Sequence, residues 1–293
     1  MHTKGIFYTI ISAILFGITP ILATWIYDYG VSSITIVFFR SLFVLPILYV
    51  LMKSQKVSLH IQKQELKHTA IIAIFGSGLT TILLFTSYQY IDVGTATTLH
   101  FLYPLCVSLL CYLVYHERLG RTKIVALLVA AVGTLCFFDA KQSDSFIGIF
   151  LAIASAVAYA FYMVQLSKKH LTKQNPFLIS FYMALFTVLE TIVYHIFVPS
   201  ITLQLPFKAY FILILLSVVS SFLGVVLLQL GIRELGPSTA SLFCLFEPIT
   251  SIIAGVFLLH DHVSLINIIG CIVILLALVI ITLAEKQKEK YLK

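Results

Sequence analysis

A carboxylate stands near the middle of one long apolar stretch. Leu235–His260 reads LGPSTASLFCLFEPITSIIAGVFLLH and carries Glu247, followed at once by Pro248. Holding a carboxylate at the centre of a bilayer costs at least about 2.5 kcal/mol, so a compensating use is expected. Two chemistries suit it: a carboxyl that takes up and releases a proton, or one that holds a cationic group of a substrate. The structural reading is a Glu that ties its helix to a neighbour by hydrogen bonds. Pro248 removes a backbone donor and bends a helix, loosening the chain one turn earlier, around Cys244. His100 and Tyr103 lie three residues apart in another apolar stretch, on one helix face. An imidazole there relays protons or bonds a carboxylate, or simply ties two helices together. Arg40 and Glu190 complete the set. Counted along their spans they lie about 10 and 12 Å below the outer surface, and buried charges of opposite sign neutralise each other. They are expected to form a structural charge pair, with snorkelling of Arg40 to the interface as the alternative.

The elements that position these residues are membrane helices. Of the 293 residues 60% are hydrophobic and only 11% charged, with a mean hydropathy of +1.04. Water-soluble domains carry about 25% charge, which excludes a soluble fold. Ten spans follow from the apolar runs: Gly5–Tyr27, Ser33–Met52, Thr69–Ile91, Gly94–Tyr115, Ile124–Phe138, Phe146–Ser167, Pro176–Val198, Ala209–Ile232, Pro237–His260 and Ser264–Ala284. The runs are too long and too uniformly apolar for the alternating strands of a barrel, and a lipid-exposed backbone must satisfy its own hydrogen bonds. The apolar run after Met1–Lys4 outlasts a signal-peptide core and reads as a retained first span. All but three of the 19 Lys and Arg residues fall in one set of connections or at the termini; Lys141 and Lys208 occupy the opposite set and Arg40 a span. Such a bias puts both termini in the cytoplasm. The five cysteines lie within apolar runs as packing residues, so no disulfide framework is expected.

The chain reads as one design written twice. Thr95-Ala96, Tyr103-Pro104 and His116-Glu117 match Thr239-Ala240, Glu247-Pro248 and His260-Asp261, each pair 144 positions apart. Ser12-Ala13 against Ser155-Ala156, and Gly76-Ser77 against Ser220-Ser221, extend the echo. With five spans in each half, residues 1–140 and 141–293, the second half enters the membrane from the opposite side. The fold expectation is therefore an all-α integral membrane protein of ten transmembrane helices in two inverted five-helix repeats. Inverted repeats around a midplane site are a common construction of secondary transporters.

Phe39-Arg40, Tyr103-Pro104, His116-Glu117-Arg118-Leu119, Glu247-Pro248 and Gly270, set in this ten-span pattern, resemble the EamA-type members of the drug/metabolite transporter superfamily. The resemblance covers essentially the whole chain and says little about substrate. It implies a basket-like bundle in which the first, third, fourth, sixth, eighth and ninth helices face a central cavity. Tyr88, Tyr159 and Tyr162 then join Tyr103 as an aromatic wall, of the kind that binds ammonium groups or stacks on planar metabolites. Core packing is the plainer use of each. His260-Asp261 departs from the Glu that the family usually shows there.

No Walker loop and no HExxH motif occurs, and His260-Asp261-His262 reads as a solvated turn, so neither cofactor nor metal is expected. Intramembrane catalysis would need a nucleophile and base clustered at one interface, and none are grouped. A channel would show a continuous polar stripe. The expectation is a transporter and no enzyme: a multi-pass carrier in the cytoplasmic membrane for a small polar or amphipathic metabolite of amino-acid or amine type. It would work by alternating access, by proton coupling or by exchange, as a monomer or homodimer, with no nucleic-acid partner. A flippase for a lipid-linked precursor is the alternative.

Overall fold

The computed structural model describes residues 2–117, 120–136, 145–259 and 264–291. His260-Asp261-His262, Arg118-Leu119 and Lys141 lie outside them. Ten helical segments follow in order: α1 (Thr3–Tyr27), α2 (Ser33–Ser54), α3 (Lys63–Ser87), α4 (Val93–Tyr115), α5 (Arg121–Leu135), α6 (Phe146–Lys168), α7 (Pro176–Phe197), α8 (Phe207–Leu235), α9 (Pro237–Leu259) and α10 (Leu265–Tyr291). Among the described residues all except α5 are long and apolar enough to cross a membrane. The 15 residues of α5 reach about 22 Å at 1.5 Å each, short of a ~30 Å core; the expected span there ran on to Phe138, outside the described residues. No strand occurs among the described residues.

Five helices depart from α geometry: α1 turns at Ile18, and the other four departures come in pairs. A π-helical turn interrupts α3 at Ala73–Gly78 and α8 at Ser217–Gly224, positions that correspond at the 144-residue offset. These are the stretches rich in Gly and Ser, whose small side chains let neighbours come close. α4 breaks at Phe101–Leu102, just ahead of Tyr103-Pro104, and α9 at Cys244–Leu245, just ahead of Glu247-Pro248. The Cys244 carbonyl is not left free by that break. It accepts the Glu247 N–H at 2.9 Å, a tightened turn of the type that closes helix ends.

Packing runs crosswise between the halves. Gly5 of α1 lies against Glu234 and Leu235 at the far end of α8, and Ser12 Oγ donates to the Gly224 carbonyl at 2.7 Å. The counterpart helices repeat this: Gly148 of α6 lies against Tyr90 and Ile91, just beyond α3, while Thr80 Oγ1 donates to the Ser155 carbonyl at 3.5 Å. α2 and α7, also counterparts, run antiparallel. The start of α2 bonds the segment after α7 (Ser32 Oγ to the Ser200 carbonyl, 2.6 Å), and Tyr182 near the start of α7 reaches the Leu59 carbonyl beyond the end of α2 at 2.7 Å. The outer faces stay apolar, with Phe150, Phe211 and Phe257 largely exposed, as lipid contact requires.

Candidate functional site

A cavity of about 90 Å³ opens between α1, α2, α3, α4, α6, α8 and α9. It extends from the middle of the bundle toward the α3–α4 connection, reaching Tyr88 and Thr97. Tyr27 caps that side: its hydroxyl donates to the Phe85 carbonyl at 2.8 Å, and its ring meets Tyr88 edge-on at 6.4 Å. On the other side a dry cluster that includes Tyr103, Val107, Cys111, Leu166, Leu228 and Cys244 closes the bundle. Beyond it, at that end, Lys168 pairs with Glu117 and lies over the Tyr115 ring, 5.0 Å from its centroid.

Glu247 reaches the cavity wall because the break at Cys244–Leu245 ends one helical run and starts another at Phe246, one residue before it. Gly17 of α1 sits so close that a Cβ there would lie 2.6 Å from the Glu247 carbonyl. No ion pair among the described residues reaches the Glu247 carboxylate. His100 lines the same cavity. Ser155 Oγ donates to the Ala152 carbonyl (2.6 Å), so its contact with His100 Nδ1 at 2.8 Å uses the serine lone pair and the imidazole N–H. That arrangement fixes a proton on Nδ1, so the neutral imidazole would keep Nε2 as an acceptor toward the cavity. Tyr159 and Tyr162 form the adjoining wall, their rings 5.6 Å apart, with Tyr159 also packed on His100 at 5.3 Å.

Arg40 enters from α2. Its Nε donates to Ser221 Oγ and its Nη2 to Ser220 Oγ, both at 2.9 Å, and Ser217 Oγ donates back to the Arg40 carbonyl at 2.8 Å. All three serines belong to the π turn of α8. The guanidinium lies over the Phe85 ring at 5.7 Å.

Compared with known proteins, the chain matches the model of the EamA-like transporter family twice, over residues 3–138 and 146–283. The chain belongs to this family. An uncharacterized transporter of Archaeoglobus fulgidus is 27% identical over 75% of this chain and 79% of its own length. The uncharacterized inner membrane transporter YicL of Salmonella typhimurium is 24% identical over 98% of both chains. A solved crystal structure superposes with a TM-score of 0.83 over 99% of this chain and 100% of its own, at 16% identity, a likeness of fold. This EamA protein is thus a multi-pass membrane protein of a transporter family.

Of the residues expected at its site, Glu247, His100, Tyr88, Tyr159 and Tyr162 line one cavity. Tyr103 does not. It is fully buried behind His100 and Tyr159, its ring edge-on to Tyr159 at 4.7 Å, and its hydroxyl lies against Glu247 and Cys244 without closing a hydrogen bond of full geometry. The expected charge pair is corrected as well: Arg40 bonds serines, while Glu190 packs against Gly78 with its Oε2 buried and unbonded. The reason is the π turn of α8, which carries Ser220 and Ser221 to the guanidinium. The hydroxyls of α3 and α8 that line the cavity, Ser77, Thr80, Thr81 and Ser220, were not expected there. Their only signal in the sequence is the clustering of small residues that also produces the π turns.

Proposed function

We propose that this EamA protein is a secondary active transporter of a small polar or amphipathic metabolite, of amino-acid or amine type, across the cytoplasmic membrane. The single observation that carries the reading is the cavity. It sits at mid-bundle, presents a carboxyl, an imidazole acceptor and a guanidinium on separate walls, and has the apolar cluster of Tyr103, Val107 and Cys111 behind it at one end and the Tyr27–Tyr88 contact at the other. A channel would show a continuous polar stripe, whereas a pocket packed unequally at its two ends fits one state of an alternating-access cycle.

Two inverted five-helix repeats, residues 1–140 and 141–293, would exchange the open and closed ends. The antiparallel run of α2 and α7, the paired π turns and the reciprocal α1–α8 and α6–α3 contacts support this. The charge bias of the connections supports cytoplasmic termini, and so a seal on the cytoplasmic side. Nothing in the cycle calls for an enzymatic step.

Coupling to protons falls to Glu247, with His100 Nε2 as the nearby acceptor. The test is Glu247→Gln in reconstituted protein, with uptake followed across pH. The expected result is transport that no longer responds to pH; a response identical to that of the unaltered protein removes Glu247 as the coupling group.

One feature bears on the alternative, a flippase, and tells against it. An apolar groove of about 540 Å³ runs between α3 and α6, lined by Phe75, Leu79, Phe150 and Val157 among others. It shares no lining residue with the central cavity, so it suits a bilayer acyl chain better than the route of a polar headgroup.

A further inference from the structure

We propose that Arg40 is the anchoring point for a carboxylate on the transported solute, which makes that solute a small carboxylic acid rather than a plain amine. The proposal rests on the transport reading above and narrows its substrate.

The first observation is an uncompensated charge. Arg40 is 9% exposed, and its hydrogen bonds go to two neutral hydroxyls. Among the described residues no carboxylate pairs with it: Glu247 lines the same cavity without an ion pair to it, and the Glu190 Oε2 is unbonded. Taking a cation out of water costs several kcal/mol even after relaxation, and serines alone do not offset a full charge. Nη1 makes no hydrogen bond, yet it is not among the atoms buried without a partner, so its N–H groups face open space.

The second is the space itself. Arg40 lines the central cavity and also a side chamber of about 50 Å³. The chamber is walled by Ser41, Ser77, Thr81, Ser180, Thr187 and Ser221, hydroxyls drawn from α2, α3, α7 and α8. Thr81 and Thr187 give their protons to carbonyls of their own helices, whereas Ser221 accepts from Arg40 and keeps its proton to give; a guanidinium fork beside such a hydroxyl is the geometry that receives a planar oxyanion. The chamber is carboxylate-sized, while the larger cavity, walled by Phe85, Tyr159 and Tyr162, would take an apolar or aromatic body.

The third is an asymmetry. At the repeat offset Arg40 corresponds to Ala184, and Ser217 and Ser220 correspond to Ala73 and Gly76. Both halves form the π turn, but only one builds an arginine cradle with it. Helix packing common to the halves therefore does not require the charge. π turns recur at functional sites, and this one is spent on holding Arg40.

The test uses the purified full chain in detergent and four probes: butanoate and 3-phenylpropanoate, each beside its own amide. Ligands that bind only the folded state raise the melting temperature. An acid is expected to stabilise the protein where its amide does not. Arg40→Met should weaken that acid by at least about 30-fold and Arg40→Lys by about tenfold, since the charge survives but the fork does not. Should Arg40→Met fail to fold, Arg40→Lys and Ser220→Ala/Ser221→Ala give the same reading, each narrowing the gap between acid and amide. Equal stabilisation by acid and amide, or an acid preference that survives these variants, overturns the assignment. Proteoliposome flux separates the two proposals: solute movement that acid and amide inhibit alike sinks the Arg40 site and leaves transport standing. Acid-selective stabilisation without any flux does the reverse.

Discussion

The buried Tyr103 hydroxyl lies against Glu247 and Cys244 but closes no hydrogen bond of full geometry, which makes it one of the cheaper polar atoms to delete near the cavity. A buried donor without a partner already bears its desolvation cost. Tyr103→Phe should therefore keep or slightly raise the melting temperature of the purified protein. Tyr103→Ala should lower stability by about 3–5 kcal/mol through the cavity it leaves against Tyr159. A marked loss in the Phe variant would show that the hydroxyl has a partner after all. Ser155 predicts the opposite pattern. It accepts from His100 Nδ1 while donating to Ala152, so Ser155→Ala strands a buried imidazole N–H. The expected cost is about 1–3 kcal/mol, read as a lowered melting temperature, and Ser155→Thr should recover part of it by restoring the hydroxyl.

At the scale of the helices, α1 passes α9 at a glycine. A Cβ on Gly17 would stand 2.6 Å from the Glu247 carbonyl and 2.7 Å from Thr250 Cβ, and the backbone cannot yield as a side-chain tip can. Gly17→Ala should push the two helices apart beside Glu247 and cost about 1–3 kcal/mol. A melting temperature equal to that of the unaltered protein would refute this close approach. Where Gly17, Thr19 and Pro20 fall together, α1 turns at Ile18 between two helical runs, a bend that residue type alone makes legible. The sequence likewise announced a bend at Pro248, with loosened chain around Cys244. Period and composition bring out such features because proline and glycine act locally. The π turns escaped because one extra residue in a helical turn leaves hydrophobic periodicity almost unchanged; only the Gly76-Ser77-Gly78 and Ser217–Gly224 clusters hint at them. Pairing Arg40 with Glu190 failed for the same reason. Sign and depth put them at similar levels, but the added residue in α8 carries Ser220 and Ser221 to the guanidinium first. Glu247, His100 and the cavity tyrosines were legible because each is a polar or aromatic interruption on a helix expected to face the centre.

Across the whole molecule the two ends are fastened differently. At the sealed end Lys168 of α6 pairs with Glu117 just beyond α4 and covers Tyr115, whose hydroxyl donates to Gln165 Oε1 at 3.1 Å. The repeat counterpart of Lys168 is Thr24, which bonds its own helix at the Pro20 carbonyl. A cationic latch of this kind is therefore written into one half alone, and it should bias the resting molecule toward the state sealed at that end. Two native cysteines report on the seal, since Cys111 and Cys244 lie fully buried in the cluster behind the latch. With Cys106, Cys136 and Cys271 replaced by alanine, a polar maleimide should label the pair slowly. A partly exposed ion pair contributes up to about 1 kcal/mol, so Lys168→Ala or Glu117→Gln should speed labelling by roughly two- to fivefold. Exchanging the charges, Lys168→Glu with Glu117→Lys, should return the rate to that of the starting protein. High salt should mimic the single variants, because screening weakens an exposed pair. If the single variants label no faster, packing of the apolar cluster alone holds the end shut and the ion pair is incidental. If the charge exchange labels as fast as the single variants, the effect belongs to the individual side chains and not to their attraction.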